Sequence, residues 1–416
     1  MKIFLHDYAG HPFQAELSRR LASRGHAVVH AFFAGDAGPK GKMTRQANDP
    51  AGLSFAAVET TSVYSKTNFI KRRAGDIEYG KAVARRIVEE KPDIVFSGNT
   101  PTEAQEPLLR ACRQSGAAFV FWCQDFYSIA AARLLQMKLP GPGHLVGAWY
   151  KFLDSRQMRA ADHVVLITEA FRPQIEAWGV PEDRVSIIPN WGAIDEIPQR
   201  SRDNAWAAEH GLIAKPVCLY TGTLALKHDP RLLEAVARAD IAEMVVVAFG
   251  VGKDTLEKAK ASGSLNRLHL LPLQPFERFA DVLGSADVLA AVIEREAGEF
   301  SVPSKVLSYL CAGRPIVLSA PKDNLAAQIL EQSGAGIVVE PGDVSGFREA
   351  VSRFLDDPGA ARAAGRAGRS YAEAHFNLDR VADRFEGVIE LALAAHRAQK
   401  MRGVEAARRP AIREGE

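Results

Sequence analysis

Cysteine is scarce in this chain. Cys112, Cys123, Cys218 and Cys311 are the only four in 416 residues, each lies among apolar neighbours, and none forms a CxxC pair. That excludes a disulfide framework and points to reduced core thiols in a cytosolic protein. Net charge is also small, +2, so there is no polyanion signature and no nucleic-acid partner is expected. No uninterrupted apolar run approaches the roughly 20 residues of a membrane-spanning helix. The opening MKIFLHDYAG is too short in apolar residues for a secretory signal and reads as a first strand.

Several chemical motifs are absent as well. The first strand–helix turn lacks G-x-G-x-x-G, offering only Gly10 between Asp7 and His11, which disfavours a nicotinamide site. Gly41-Lys42 and Gly252-Lys253 lack the earlier glycine that a P-loop requires. There is no His/Cys cluster with metal-ligand spacing and no G-x-S-x-G elbow. Catalysis by this chain would rest on positioning and charge stabilisation, with no cofactor and no metal expected.

What is present is an alternation of short apolar runs and helical patterns. Strands are expected at Lys2–His6, Ala27–Phe33, Asp93–Ser97, Ala118–Cys123, His163–Thr168 and Arg184–Ile188. Helices lie between them, including Ile77–Glu90 and Leu145–Ala161, and residues 34–75 read as irregular. The turn-rich PNWGAIDEIPQRSRDN, 189–204, reads as an interdomain linker. A second series follows from Val217. The fold class is α/β, two Rossmann-like doubly wound parallel-sheet domains facing across a cleft. The domains are 1–196 and 197–377, followed by a terminal helix 378–396 and a charged, disordered tail at 397–416.

The second series centres on EREAGEFSVPSKVLSYLCAGRPIVLS, 294–319. A strand leads into an acidic loop, and Pro303 opens a helix that Gly313 ends in the left-handed conformation. Ser304, Lys305 and Val306 carry the free N–H groups of the first turn. Lysine there opposes the helix dipole unless an anion sits at that end. Two more turns follow strands, Thr221-Gly222-Thr223 and Gly250-Val251-Gly252, and in a parallel sheet all three share one edge. Gly222, Gly250 and Gly252 permit close approach of a ligand, and Lys227 and Lys305 can neutralise phosphate. The set suits a nucleoside diphosphate.

These stretches resemble a known family. IPNWGAID (188–195), YTGTLALKHDPRLLEA (220–235), FGVGKD (249–254), LHLLPLQPFERFADVLGSADVLAAV (268–292) and VPSKVLSYLCAGRPIV (302–317) are similar to retaining GT-B glycosyltransferases of family 4. The likeness is closest to the bacterial branch that builds colanic acid, O-antigen and related surface polysaccharides. It implies a GT-B architecture, with the terminal helix 378–396 packing back on the first domain, and transfer of a sugar from a UDP- or GDP-sugar to a saccharide or lipid-linked saccharide. The Gly222–Thr223 turn and Lys227 would face the diphosphate, and Leu273 and Gln274 would border the base. Pro303, Ser304, Lys305 and Val306 would hold phosphate and sugar, and Asp125 in WCQDFY would lie near the reacting sugar. The chain makes three departures from the family pattern, the first involving two positions. Ser308 stands where relatives carry the ribose-binding carboxylate, with Glu299 one residue out of register from its partner position. Thr223 replaces an arginine, and Gln124 replaces the histidine before Asp125.

On the acceptor side, Gly10 and His11 are candidates beside Gln124. YSKTNFIKRRAGDIEYGKAVARR, 64–86, interleaves lysines and arginines with Tyr64, Phe69 and Ile70. It could touch the inner face of an anionic membrane, where lipid-linked acceptors reside. The competing readings are a non-catalytic sugar-nucleotide-binding scaffold of the same fold and a non-hydrolysing sugar-nucleotide epimerase.

Overall fold

The structure is a computed structural model that describes residues 1–35, 40–61, 69–225, 228–263, 265–298 and 302–408. Two all-parallel sheets organise the chain. The first runs in the order β3-β2-β1-β4-β5-β6-β7. Its strands are β1 Lys2–Asp7, β2 Ala27–Phe33, β3 Leu53–Val58, β4 Ile94–Gly98, β5 Ala118–Cys123, β6 His163–Leu166 and β7 Val185–Ile187. The second runs β10-β9-β8-β11-β12-β13. Its strands are β8 Val217–Thr223, β9 Glu243–Phe249, β10 Leu268–Leu271, β11 Val288–Val292, β12 Ile316–Ser319 and β13 Gly336–Val339.

Parallel strands covered by helices on both faces read as continuous apolar runs. AFVFWC in β5 and VLAAV in β11 are buried at every residue. In each sheet the strand order reverses once, between β1 and β4 and between β8 and β11. Loops leaving the two strands at such a point diverge and open a crevice outside their carboxyl ends.

The linker fixes how the two crevices lie relative to one another. Trp191 is buried, stacked against Trp122 of β5 at 6.2 Å between ring centroids and edge-on to Phe13 at 5.1 Å. Phe385, from the last helix, packs on the same indole at 6.1 Å. The next residue is Gly192. A Cβ there would fall 2.5 Å from Cys311 Sγ and 2.6 Å from the Leu307 carbonyl oxygen. The linker backbone therefore lies directly on the helix Lys305–Ala312 of the second domain.

The last helix, Leu378–Arg408, packs back on the first sheet. Phe385 lies 4.7 Å from Trp122 and 5.8 Å from Phe96, and Arg24 pairs with Asp383 at 2.7 Å and Glu386 at 2.6 Å. This helix runs past 396, so residues 397–408 are helical rather than a disordered tail. Half of that stretch is alanine and arginine, whose helix propensity extends the helix without apolar periodicity. Residues 409–416 lie outside the described residues.

Two further expectations are corrected. Residues 34–75 are not wholly irregular: Leu53–Val58 pairs with β2 as the edge strand, and the helix expected from Ile77 begins at Phe69. Its polar start, KRRAGD, hides the helical face. Gly80 is buried there, with room only for the Ala104 backbone. The helix Tyr127–Lys138, between β5 and the expected helix near 145, is also absent from the sequence reading.

Gly192→Val should cost roughly 1–3 kcal/mol through overpacking against helix Lys305–Ala312. Chemical denaturation checks this, and an unchanged midpoint would show that the linker does not bear on that helix.

Candidate active site

At the second crevice, β8 ends in Tyr220-Thr221-Gly222-Thr223, and the helix Lys305–Ala312 lies beside it. Two contacts join them. The Tyr309 hydroxyl accepts the Thr221 N–H at 3.0 Å, and the Lys305 ammonium donates to the Tyr220 hydroxyl. Lys305 Nζ also stands 3.6 Å from the Tyr220 ring centroid, a cation–π arrangement. Burial raises the Tyr220 phenol well above its ordinary pKa, so it stays neutral and donates its own proton to the Thr223 carbonyl at 2.7 Å. Gly222, at φ 106°, brings its backbone to the same place: a Cβ there would lie 3.9 Å from Lys305 Cε. The ammonium is thus held at the carboxyl end of β8, next to a backbone turn that carries no side chain.

The start of that helix differs from the expected one. It begins at Lys305, with Pro303 just outside and buried and Ser304 exposed at the cap. The Val306 N–H donates to the Pro303 carbonyl at 3.1 Å, so it is not a free first-turn donor. A tight turn leads into the helix and uses that amide. Ser308, half-buried, follows one turn later.

Gly250 and Gly252 have a different local cause. Side chains there would meet Leu224, its carbonyl 2.8 Å from a Cβ at Gly250 and its Cγ 2.5 Å from one at Gly252. These glycines let the β9 turn close against Leu224. Gln274 is tied inward: its amide oxygen accepts from the Trp206 indole at 3.2 Å, and its nitrogen donates to the Pro272 carbonyl at 3.0 Å. Leu273, next to it, is half-buried. Across the crevice, burial and then the nearby charges of Asp229 and Glu296 raise the Glu294 carboxyl pKa. Lys227 and Glu299 lie outside the described residues.

At the first crevice, Asp7 ends β1 fully buried. One of its oxygens pairs with His11 Nδ1 at 2.9 Å, and the other accepts the His11 N–H. Burial pushes the Asp7 carboxyl up, but His11 outweighs it and holds the group below the usual carboxylate range. Gly10, at φ 74°, turns its carbonyl to the Gly41 N–H at 3.0 Å. After β5, Gln124 Oε1 accepts from Asn190 Nδ2 at 2.5 Å, and Asp125 follows half-buried.

Two residues here were missed from the sequence. Gln14 is buried, and both its amide atoms lack a partner among the described residues, as do Gln124 Nε2 and Asn190 Oδ1. Buried polar groups left unpaired are costly. Only Asn190 carried a signal, inside IPNWGAID. Gln14 reads as an ordinary residue of an amphipathic helix.

Glu16, on the same helix, is a third. Burial, then Glu196 and Asp195 of the linker, raise its carboxyl to about 8.

Residues 10–191 match the family described as Glycosyl transferase 4-like domain, and residues 215–357 match Glycosyl transferases group 1. The chain is a GT-B glycosyltransferase of family 4. It is 27% identical over 273 residues to the putative colanic acid biosynthesis glycosyl transferase WcaI of Escherichia coli K12, covering 63% of this chain and 67% of that one. It is 27% identical over 168 residues to a GDP-mannose-dependent monoacylated alpha-(1-6)-phosphatidylinositol monomannoside mannosyltransferase of Corynebacterium glutamicum, covering 40% of this chain and 42% of that protein. Among solved structures, sucrose-phosphate synthase from Thermosynechococcus elongatus superposes with a TM-score of 0.73 at 14% identity, over 95% of this chain and all of that one. Anabaena HepE in complex with UDP-glucose superposes at 0.66 and 14% identity, over 94% and 99%. The structural likenesses establish the fold. No helix of the described residues is long and apolar enough to cross a membrane.

In this glycosyltransferase the Glu16 carboxyl has a folded pKa of about 8 against an ordinary 4.5. Between those values the folded state keeps a proton that the unfolded state releases, so this group lowers stability as pH rises from 4.5 to 8. Glu16→Gln should flatten that part of the stability–pH curve and raise the melting temperature at pH 8. Parallel curves for the two proteins would contradict the assignment.

Proposed function

We propose that the enzyme transfers a glycosyl group from a UDP- or GDP-sugar to a saccharide or lipid-linked saccharide acceptor of a surface polysaccharide, with retention at the anomeric carbon. The observation that carries this is the Lys305 ammonium, anchored on Tyr220 beside the side-chain-free turn at Gly222, at the β8/β11 switch point. The relatives support it through their own substrates: one is named for colanic acid biosynthesis, one for GDP-mannose, and HepE was solved with UDP-glucose.

In this reading the diphosphate lies against Gly222, Thr223 and the start of helix Lys305–Ala312. Negative charge grows on it as the glycosidic bond breaks. The Lys305 ammonium, the helix end and Lys227 stabilise that charge through groups already in place, and no metal is required. Ser304 and Ser308 contact sugar and ribose, while Leu273 and Gln274 border the base through backbone, since the Gln274 side chain is already engaged. Gly250 and Gly252 act on the donor only by shaping the turn packed on Leu224. Asp125 faces the reacting sugar from the first domain, with Gly10, His11 and Gln124 on the acceptor side. The acceptor hydroxyl gives its proton to a departing phosphate oxygen on the same face.

The basic stretch bears on the membrane in part. Residues 64–68 lie outside the described residues. From Phe69 onward the stretch is helical, with its apolar face buried. Arg72 pairs with Asp76 at 3.7 Å, Arg73 with Glu103 at 3.6 Å and Arg86 with Glu90 at 3.0 Å. We assign peripheral contact to its exposed first turn, with the enzyme at the inner membrane face.

Thermal shift with UDP, GDP, ADP and their sugars tests the donor site. One nucleotide at about a hundred times its Kd should add roughly 2.7 kcal/mol. Lys305→Ala should abolish that shift, and Tyr220→Phe, which keeps the ring but removes the acceptor, should weaken affinity about tenfold. Loss of Lys305 should lower kcat on the order of 100- to 1000-fold. A folded protein that responds to no nucleotide would overturn the reading.

A further inference from the structure

The hairpin formed by helices Tyr127–Lys138 and Pro142–Ala160 is inserted between β5 and β6. Its inner face is closely zipped. A Cβ at Gly143 would fall 2.2 Å from the Leu135 carbonyl oxygen, and one at Gly147 2.8 Å from Ala132 Cβ. Tyr150, Asp154 and Gln157 turn the rest of that face to the domain, where Gln157 donates to the Thr102 carbonyl at 3.0 Å.

The opposite face is apolar too. Leu145, Ala148, Trp149 and Phe152 recur at i, i+3, i+4 and i+7, the stripe that ordinarily faces a core. Here it faces out: Leu145 is 78% exposed, Trp149 54% and Phe152 50%. Trp149 and Phe152 stack on each other at 5.6 Å. Met137 and Leu139, at the tip of the hairpin, are exposed beside them. Contiguous apolar surface of this kind marks a contact face.

Charge indicates the partner. From Phe126 to Leu153 the sequence holds Arg133, Lys138 and Lys151 but no aspartate or glutamate. Lys138 and Lys151 are exposed. Phe69 packs on Tyr150 at 6.0 Å, which joins the start of helix Phe69–Glu90, whose Ile70 and Lys71 are exposed, to the hairpin. An aromatic and aliphatic face rimmed by cations and free of acids suits the interface of an anionic bilayer.

We propose that this hairpin is the membrane-docking surface of the enzyme, its Leu145–Phe152 stripe entering the headgroup region of anionic lipid and its lysines binding the phosphates. The hairpin begins two residues after Asp125, so docking would present a lipid-linked acceptor to the first crevice. The inference deepens the acceptor assignment and relies on it for this purpose. The surface itself rests on exposure and charge alone.

Co-sedimentation of the full chain with phosphatidylethanolamine/phosphatidylglycerol vesicles tests it, with phosphatidylcholine vesicles as the neutral control. Wild type should bind the anionic vesicles and bind the neutral ones far less. Trp149→Ser/Phe152→Ser should lower the bound fraction about tenfold or more, and Lys138→Glu/Lys151→Glu should weaken anionic binding selectively. The nucleotide thermal shift reports on fold and donor site in the same proteins. Loss of vesicle binding with that shift intact supports docking. Vesicle binding without any nucleotide shift would defeat the donor reading and leave docking standing. Absence of wild-type binding, or equal binding by the Trp149/Phe152 variant, overturns the proposal. So does a wild-type dimer in lipid-free buffer that the same variant makes monomeric, since a second copy would then cover the stripe.

Discussion

One close approach governs the arrangement of the two domains. Trp191 is clamped among Phe13, Trp122 and Phe385, and Gly192 beside it has no room for a side chain because Leu307 and Cys311 fill the space. Two adjacent residues thereby tie the first sheet and the last helix to the helix that bears Lys305. Aromatic packing of this kind is stiff and directional. A crevice at each sheet's switch point would otherwise be an isolated feature of its own domain.

The two crevices differ in electrostatic character. The second presents a cation whose position is set by a neutral phenol and by a hydrogen bond from β8 to Tyr309. Its other wall holds Glu294, whose carboxyl burial and the nearby charge of Asp229 make reluctant to ionise, while Asp229 itself is held ionised against its burial by Arg231. The first presents Asp7 ionised by His11 and a set of amides, Gln14, Gln124 and Asn190, with unused bonding capacity among the described residues. In the proposed reading the first crevice takes the neutral, hydroxyl-rich acceptor. In the same reading the second takes the phosphates of the donor. That division of labour is the chemical content of a glycosyl transfer in which one substrate is anionic and the other need not be.

Much of this was legible in the sequence, because parallel-sheet strands are apolar throughout and turns are marked by glycine and proline. The linker, the helix ended by Gly313 at φ 67° and the Lys305 turn all follow from such local signals. Contacts between distant segments were not legible. Nothing local shows that Tyr220 carries Lys305, that Leu224 accounts for Gly250 and Gly252, or that the Val306 amide is used by Pro303. The hairpin was the instructive miss. Its second helix carries Trp149, Phe152 and Met158, and of these only Met158 is buried. Periodicity reports that a stripe exists, not which side of it the protein covers.

The central claim is that a nucleoside diphosphate occupies the β8/β11 crevice. Amide hydrogen exchange with and without saturating UDP or GDP tests it most directly. The account predicts slowed exchange at Gly222–Leu224 and across Ser304–Leu307, with the first-domain strands unchanged. Protection confined to the Asp7–His11 loop, or none at the Lys305 turn despite binding, would place the nucleotide elsewhere and contradict the account.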